Sequence, residues 1–474
     1  MNNYSKFLDK KIFTVVSKCA DKLGYETYVV GGWVRDIIMG RSKKNTDIDF
    51  VCVGSGIKLA EEVQTILGNK AKFQIFKNFG TALVNIKNEN YEFVGARSES
   101  YRKSSRKPII ENGTLEEDQL RRDFTINALA IKLNKKDFGE IIDPFNGKQD
   151  IIDKVIVTPL NPCKTFSDDP LRMMRAIRFA SELDFNIKKS TFDSIKNNRE
   201  RLSIVSQERI TDEFNKILLS PKPSIGIKLL FKTKLLHIFF NELVSLAGVE
   251  IKNSHAHKDN FKHTLQVLDN ISENTDDLWL RWAALLHDIA KPITKRYEEG
   301  HGWTFHAHEY IGSKMVTSIF RKLKLPLNDK MKYVKKLVLL HLRPIILAKK
   351  IVTDSAIRRL LFDAGNDIED LMLLCDADIT SKNQEKVKRY QNNFQLVRKK
   401  IKIVEEKDKI RNFQPPVNGN EIINLFEISE GKEIGILKNA IKNAILDGKI
   451  KNNKKDALKF LKKKANELKI KSKI

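Results

Sequence analysis

Asp47 and Asp49 stand two residues apart in the short apolar stretch TDIDFVCV, residues 46–53. Residues at that spacing on a strand point to the same face, so the pattern predicts two carboxylates side by side. Upstream, the apolar run Tyr28-Val29-Val30 meets Gly31-Gly32, and Trp33 to Met39 follow with helical apolar spacing. Glycines let backbone N–H groups approach a triphosphate closely, and a helix N-terminus adds a favourable dipole. Paired carboxylates suit magnesium, two ions roughly 3.5–4 Å apart serving an in-line phosphoryl displacement. A lone D-x-D is most often a solvated edge or a turn cap, and Gly-Gly alone is only a turn. The combination GG, VRD and DID within one short stretch is the specific signal.

Three further sets of residues have chemical potential. In RRDFTINA, residues 121–128, Arg121 and Arg122 can hold phosphate oxygens bidentately, with Asp123 and Asn127 beside them and Asn127 able to reach a ribose hydroxyl. In DDPLRMMRAIR, residues 168–178, Asp169 and Arg172 lie three apart and project from one helix face. A carboxylate accepts from an exocyclic amine and a guanidinium donates to a ring nitrogen. One such pair therefore selects cytosine and adenine and rejects uracil and guanine; taken alone, the pair is more often a surface salt bridge. Arg175 and Arg178 continue the face toward phosphate. Finally, five of the nine histidines fall between His255 and His301. Neutral imidazoles with carboxylates suit a divalent metal, and the ordered set is His263, His287-Asp288, His308, His341 and Asp378. His255, His257, His301 and His306 are weaker candidates.

The elements that must position these groups follow from periodicity. Residues 4–23 read as an amphipathic helix with Phe7, Ile12, Val15 and Val16 inward. A helix over 60–67 and strands over 72–76, 81–86 and 91–96 complete a mixed α/β domain. Glu92 falls on the last strand, as a third carboxylate or as an alternating surface Glu. Residues 97–113, RSESYRKSSRKPIIENG, read as a polar, basic loop. Residues 166–182 read as one helix capped by Ser167 or Asp168 with Pro170 in its first turn. The stretch 192–233 reads as all helical, 382–409 as a charged helix, and 451–474 as a basic run carrying ten lysines.

Composition narrows the class. The 474 residues suffice for several domains and a sizeable core. A net charge of +26 predicts a polyanionic partner, nucleic acid or an anionic membrane. No uncharged apolar stretch approaches the ~18 residues of a membrane span, and the N-terminus lacks the pattern of a secretory signal. Cys19, Cys52, Cys163 and Cys375 are widely separated and form no C-x-x-C pair, so neither a zinc knuckle nor a disulfide framework is implied, and a reducing cytoplasm fits best.

The ordered motifs GGWVRD, DID and RRDFTINA, then DDPLR, resemble the bacterial-type (class II) tRNA nucleotidyltransferase and poly(A) polymerase family, within the polymerase β-like superfamily. His263, His287-Asp288 and Asp378 resemble the HD phosphohydrolase superfamily, and His308 and His341 sit where its two-metal members have extra ligands. The resemblance implies an α+β nucleotidyltransferase head (1–155), an all-α neck (156–245), an all-helical HD domain (246–400) and a basic helical tail (401–474). It further implies Asp47, Asp49 and Glu92 as catalytic, with magnesium on the first two. Gly31, Gly32, Arg35, Arg121, Arg122, Asp123, Asn127, Asp169, Arg172, Arg175 and Arg178 would bind nucleotide, and Glu208, Arg209 and Glu213 would brace the neck. In the family motif the residue before Asp169 is Glu; here it is Asp168. The implied reaction adds C, C and A to a tRNA 3′ end from CTP and ATP, with neither a membrane nor a protein partner. The same head serves poly(A) polymerases and enzymes adding only A or only C, and the HD module would be a metal phosphohydrolase that can coexist with either. A non-catalytic RNA-binding role is the contrasting reading.

Overall fold

The computed structural model describes residues 3–41, 47–77, 80–87, 89–100, 109–252, 255–256, 258–348, 353–381, 383–408, 410–411 and 413–468. The chain divides into two compact units, Met1–Asn241 and Glu242–Ile474.

The first unit opens with helix α1 (Lys11–Leu23), preceded by a short 3-10 turn at Ser5–Phe7. The helix is therefore shorter than the 4–23 expected. Lys10 is extended, and Ile12, Phe13, Val15 and Val16 are buried whereas Phe7 is half-exposed. Strand β1 (Thr27–Val30) turns at Gly31 into helix α2 (Gly32–Ile38). Strand β2 (Ile48–Cys52) begins one residue after Asp47, and helix α3 (Gly56–Leu67) follows. Next come β3 (Lys72–Phe76), β4 (Thr81–Ile86) and β5 (Glu89–Gly95). Residues 97–113 are not simply a loop. Strands β6 (Arg97–Ser100) and β7 (Ile109–Asn112) pair antiparallel, and the tip of the expected loop lies outside the described residues. After helix α4 (Leu115–Leu120) come short strands β8 (Ala130–Lys132) and β9 (Ile141–Ile142). The main sheet has the order β3-β4-β5-β2-β1-β8-β9, and β2 and β5 run parallel within it.

That parallel pair explains the domain's polarity. Asp49 is in register with Glu92, and Phe50 with Phe93. Because successive side chains alternate faces, the same two strands put carboxylates on one face and a stacked aromatic pair on the other. The Phe50 and Phe93 ring centroids are 4.9 Å apart, and both residues are fully buried. Burying each ring is worth roughly 1.5–3 kcal/mol, which anchors the carboxylate-bearing edge.

Helix α5 (Gly147–Ile152) starts where the Asp143 carboxylate accepts the Gly147 and Lys148 amides at 2.7 and 3.0 Å. The neck is helical but not purely so. Two-residue strands β10 (Val155–Ile156) and β11 (Asn186–Ile187) pair parallel, flanking helices α6 (Pro162–Asp168) and α7 (Leu171–Leu183). The single helix expected over 166–182 breaks at Asp169, whose φ of −132° is extended. Ser167 and Asp168 thus end α6 rather than cap α7. Asp169 itself receives the Leu171 amide at 3.1 Å, because Pro170, without an N–H, starts a helix far more easily than it continues one. Helices α8 (Lys189–Asn198) and α9 (Gln207–Leu218) follow, and of the two it is α9 that reaches the site.

The second unit is mainly helical, but among its described residues strands Ile251–Lys252 and His255–Ala256 pair antiparallel, as do Arg296–Glu298 and Gly302–Thr304, pairs that the all-helical expectation missed. Its core helices include Asn260–Ser272, Leu278–Leu286, His308–Lys322, Asp329–Leu340 and Ile368–Ala377. The charged helix runs Gln384–Asp408, and the basic run forms helix Lys454–Glu467, residues 469–474 lying outside the described residues. No described helix is long and apolar enough to cross a membrane.

Candidate functional site

In the first unit, a cavity of about 580 Å³ is lined by Gly31, Gly32, Asp47, Asp49, Glu92 and Arg122, together with Arg35, Asp123, Asn127, Arg175 and Arg178. The β1–α2 turn is possible because Gly31 has φ +78°, a conformation that L side chains rarely adopt. Opposite it, Asp47 precedes β2 and accepts from Asn90 Nδ2 at 3.0 Å, a partner that sequence reasoning missed. Asp49 has its pKa raised, by burial first and by the Asp47 charge, with Arg122 working the other way. Glu92 is also raised, by burial and then by Asp49 and Asp47. Asp47, Asp49 and Glu92 thus share one cavity, and a set of carboxylate oxygens of this kind fits a bound divalent cation. Magnesium ordinarily takes one or two carboxylates, keeps water and adds substrate phosphates.

The RRD motif is held by a residue the sequence did not single out. Asp118, on α4, is completely buried; its Oδ1 accepts from Arg121 Nε at 3.0 Å and its Oδ2 from Arg122 Nε and Nη2 at 3.1 and 2.9 Å. The signal was present as an acid three and four residues before the arginines on a helix. Burial alone would raise the Asp118 pKa, but the two guanidiniums outweigh it and hold the carboxyl below its usual value. Asp123 accepts from Asn127 Nδ2 at 3.0 Å and from Arg175 Nε at 2.7 Å. Arg35 donates to Asn127 Oδ1 at 2.8 Å and to Asp36. It therefore fixes Asn127 as well as lining the cavity. Arg35, Arg175 and Arg178 also gather around the Phe179 ring, at 5.1, 5.3 and 4.2 Å from its centroid.

A second cavity of about 390 Å³ adjoins the first and shares Arg122, Asp123 and Arg175 with it. It contains Asp169, Arg172 and Arg121, with Arg209 from α9. Arg172 Nη2 donates to the Arg121 carbonyl at 2.7 Å, and Arg209 Nη2 stands 3.8 Å from Asp169 Oδ2. Glu213 is buried and pairs with Arg178 at 3.2 Å, tying α9 to α7. Glu208 has no part in either cavity's lining.

In the second unit, the HD residues converge. Ligand atoms of His263, His287 and Asp378 lie within 4.8 Å of one another, as do those of Asp288, His308 and His341. Asp288 joins the sets. Its Oδ2 is 3.2 Å from His287 Nε2 and 3.4 Å from His263 Nε2, and its Oδ1 is 3.3 Å from His308 Nε2 and 3.9 Å from His341 Nε2. His287, His308 and His341 each place Nδ1 2.7 Å from a backbone carbonyl, of Ala284, Phe305 and Val338. That bond puts the ring proton on Nδ1 and leaves Nε2 as a lone pair. All three Nε2 atoms are buried without a hydrogen-bond partner. Orphaned lone pairs facing a shared carboxylate fit a divalent metal, which these residues would hold. Burial and the His287 charge push the His341 pKa down to about 4, so its ligating form persists well into acid. Lys291 Nζ also contacts Asp288, at 2.6 Å. His301 and His306 stay outside both sets, His306 contacting Glu298 at the surface. His257 and the His255 side chain lie outside the described residues.

Fold and site together define a nucleotidyltransferase-type head joined to an RNA-binding segment and an HD module. Sequence profiles agree, matching "Poly A polymerase head domain" over residues 27–157, "Probable RNA and SrmB- binding site of polymerase A" over 184–246 and "HD domain" over 260–383. An A-adding tRNA nucleotidyltransferase of Aquifex aeolicus is 45% identical over 164 residues, covering 35% of this chain and 19% of that protein. The matched stretch thus spans about a fifth of that relative. A multifunctional CCA protein of Pseudomonas fluorescens is 32% identical over 321 residues, 64% of this chain and 71% of that protein. Among solved structures, a CCA-adding enzyme of Bacillus stearothermophilus in complex with CTP superposes with a TM-score of 0.70 at 25% identity, covering 97% of this chain and 99% of that one. The chain belongs to the tRNA nucleotidyltransferase and poly(A) polymerase family.

Proposed function

We propose that this protein adds C, C and A to the 3′ end of tRNA from CTP and ATP, with magnesium and without a nucleic-acid template. The observation that carries the reading is the pair of adjoining cavities, one holding Asp47, Asp49 and Glu92 and one holding Asp169 and Arg172, linked by Arg122, Asp123 and Arg175. In the proposed reaction the tRNA 3′ oxygen bonds to the α-phosphorus as the bond to the pyrophosphate oxygen breaks. Asp47 and Asp49 would hold magnesium, with Glu92 beside Asp49; bound there, the ions activate the hydroxyl and neutralise the leaving group. Backbone amides at Gly31 and Gly32 and the guanidinium of Arg122 receive the triphosphate. Asn127, oriented by Arg35 and Asp123, reaches the ribose. Asp169 and Arg172 read the base edge, Asp169 through Oδ2 because its Oδ1 already caps α7.

The test uses a tRNA transcript lacking its 3′ CCA, with magnesium and CTP, ATP or both. Two additions with CTP and a third only with both establish the reading. A single A added only to a transcript ending in CC means an A-adding enzyme, C addition without A means a CC-adding enzyme, and a long A tail means a poly(A) polymerase. Asp49→Ala should abolish incorporation and spare tRNA binding; retained turnover sinks the assignment.

The orphaned imidazole nitrogens around Asp288 favour a second, coexisting activity, metal-dependent hydrolysis of a phosphate ester. His263, His287, Asp288, His308, His341 and Asp378 would hold the ions, which when bound supply an activated water. Phosphate release that disappears in His287→Ala, with nucleotide addition intact, supports it.

A further inference from the structure

Asp47 lies one residue before β2, and the pairing of β2 with β5 begins at Ile48↔Tyr91 while its pairing with β1 ends at Asp49↔Val30. The strand ladder therefore does not hold Asp47; its side chain is held instead. Asn90 Nδ2 donates to Asp47 Oδ1 at 3.0 Å, and Asn85 Nδ2 donates to Asn90 Oδ1 at 2.7 Å. Asn85 and Asn90 are direct cross-strand partners on β4 and β5, as are Leu83 and Glu92. Residues two apart on a strand share a face, so this face carries two rows. One runs Asp49, Glu92, Leu83, and the other Asp47, Asn90, Asn85. The second row has a direction. An ionised carboxylate only accepts, whereas a side-chain amide donates at one end and accepts at the other. Asn90 thus turns its N–H end to Asp47 and its oxygen to the Asn85 donor. On the opposite face the hairpin end is fastened. Glu89 accepts from Lys10 Nζ and from the Tyr91 hydroxyl, each at 2.5 Å, and the Tyr91 ring centroid is 6.2 Å from that of Phe50.

We infer that Asn90 is a positioning residue for metal binding at Asp47, and that Asn85 sets its orientation. The inference rests on the reading of Asp47 as a magnesium ligand and adds the two residues that aim it. Asn90 lines the cavity of Asp47, Asp49 and Glu92, and Asn85 stands behind it, outside that lining. The donor's neutrality is what suits the role. Asn90 takes one of about four lone-pair positions of the carboxylate and cancels none of its charge. Asp118 and Asp123, by contrast, are held by guanidiniums, which neutralise them. Asp47 is fixed in place and keeps both its charge and its remaining lone pairs for a cation.

The test is calorimetric binding of CTP to the full chain without tRNA, so that no turnover occurs, once with manganese and once with EDTA. The ratio of the two dissociation constants reads the coupling between metal and nucleotide. The histidine–aspartate cluster of the second unit is the same in every variant and cancels in the comparison. Asn90→Ala should lower the ratio about tenfold, the scale of losing a hydrogen-bonded support of a metal ligand, and leave CTP affinity in EDTA unchanged. Incorporation should then need about tenfold more magnesium to reach half its maximal rate. Asn85→Asp separates orientation from charge. A carboxylate at that position accepts from Asn90 and turns the Asn90 oxygen toward Asp47. Added negative charge by itself predicts tighter metal binding, whereas the relay predicts a loss like that of Asn90→Ala. A ratio unchanged in Asn90→Ala, or raised in Asn85→Asp, overturns the inference. So does a loss of CTP affinity that is equal with and without metal, the mark of a merely structural role. The reading of Asp47 as a magnesium ligand fails separately, if the unaltered chain binds CTP no better with manganese than with EDTA.

Discussion

Asp123 accepts a hydrogen bond from Arg175 Nε at 2.7 Å, joining the RRD turn of the head to helix α7 of the neck. The same carboxylate takes the Asn127 side chain and the Phe124 amide. Burial would raise its pKa, and the Arg175 charge with these hydrogen bonds more than reverses that. Asp123→Ala would leave the Arg175 guanidinium, a third exposed, without this partner and should cost about 1–3 kcal/mol. Asp123→Asn keeps the shape without the charge and should cost less. Thermal unfolding of the three proteins at neutral pH checks the order, and an Ala variant as stable as the parent refutes the pairing's importance.

Asp118 makes a pH-dependent contribution. Its folded pKa lies below the unfolded value of about 3.9. The group therefore stabilises the fold above pH ~4, and that contribution disappears as pH falls through the folded pKa. Asp118→Asn should cost roughly 2 kcal/mol at neutral pH, the scale of hydrogen bonds to charged groups. The gap between parent and variant should close as pH drops below about 4. A gap of constant size from pH 7 to 3 would contradict this.

Asp49 and Glu92 carry the opposite shift. Raised carboxylates protonate at higher pH than ordinary ones, and in the proposed reaction a proton on Asp49 would compete with the magnesium it is to hold. Nucleotide incorporation should fall on the acid side above the usual carboxylate range near 4. Raising magnesium should move that limb to lower pH. A pH–rate profile at two magnesium concentrations reads both effects, and a limb indifferent to magnesium would detach these carboxylates from the metal.

Metal binding to the HD cluster should appear as stability. A ligand bound only by the folded state at a hundred times its dissociation constant adds about 2.7 kcal/mol. Manganese should raise the unfolding temperature of the second unit, a chelator should reverse the rise, and Asp288→Ala should remove the response because Asp288 faces both ligand sets. Unfolding followed by tryptophan fluorescence is suited to this, since Trp279, Trp282 and Trp303 belong to that unit.

What the sequence determined by itself was chemical identity and local order. The two-residue spacing of Asp47 and Asp49, the glycine turn, RRDFTINA and the HD series were all readable, because each depends on residue type and short-range periodicity. Strands 72–76 and 81–86 were readable for the same reason. Tertiary structure alone decided which groups meet. Glu92 became the neighbour of Asp49 through a parallel register between strands separated by a helix and two other strands. Asp118 became the holder of two arginines because it is buried where no water competes for it. The break at Asp169 came from a proline starting a new helix. Long-range pairing and burial are properties of the folded whole, and no local pattern encodes them.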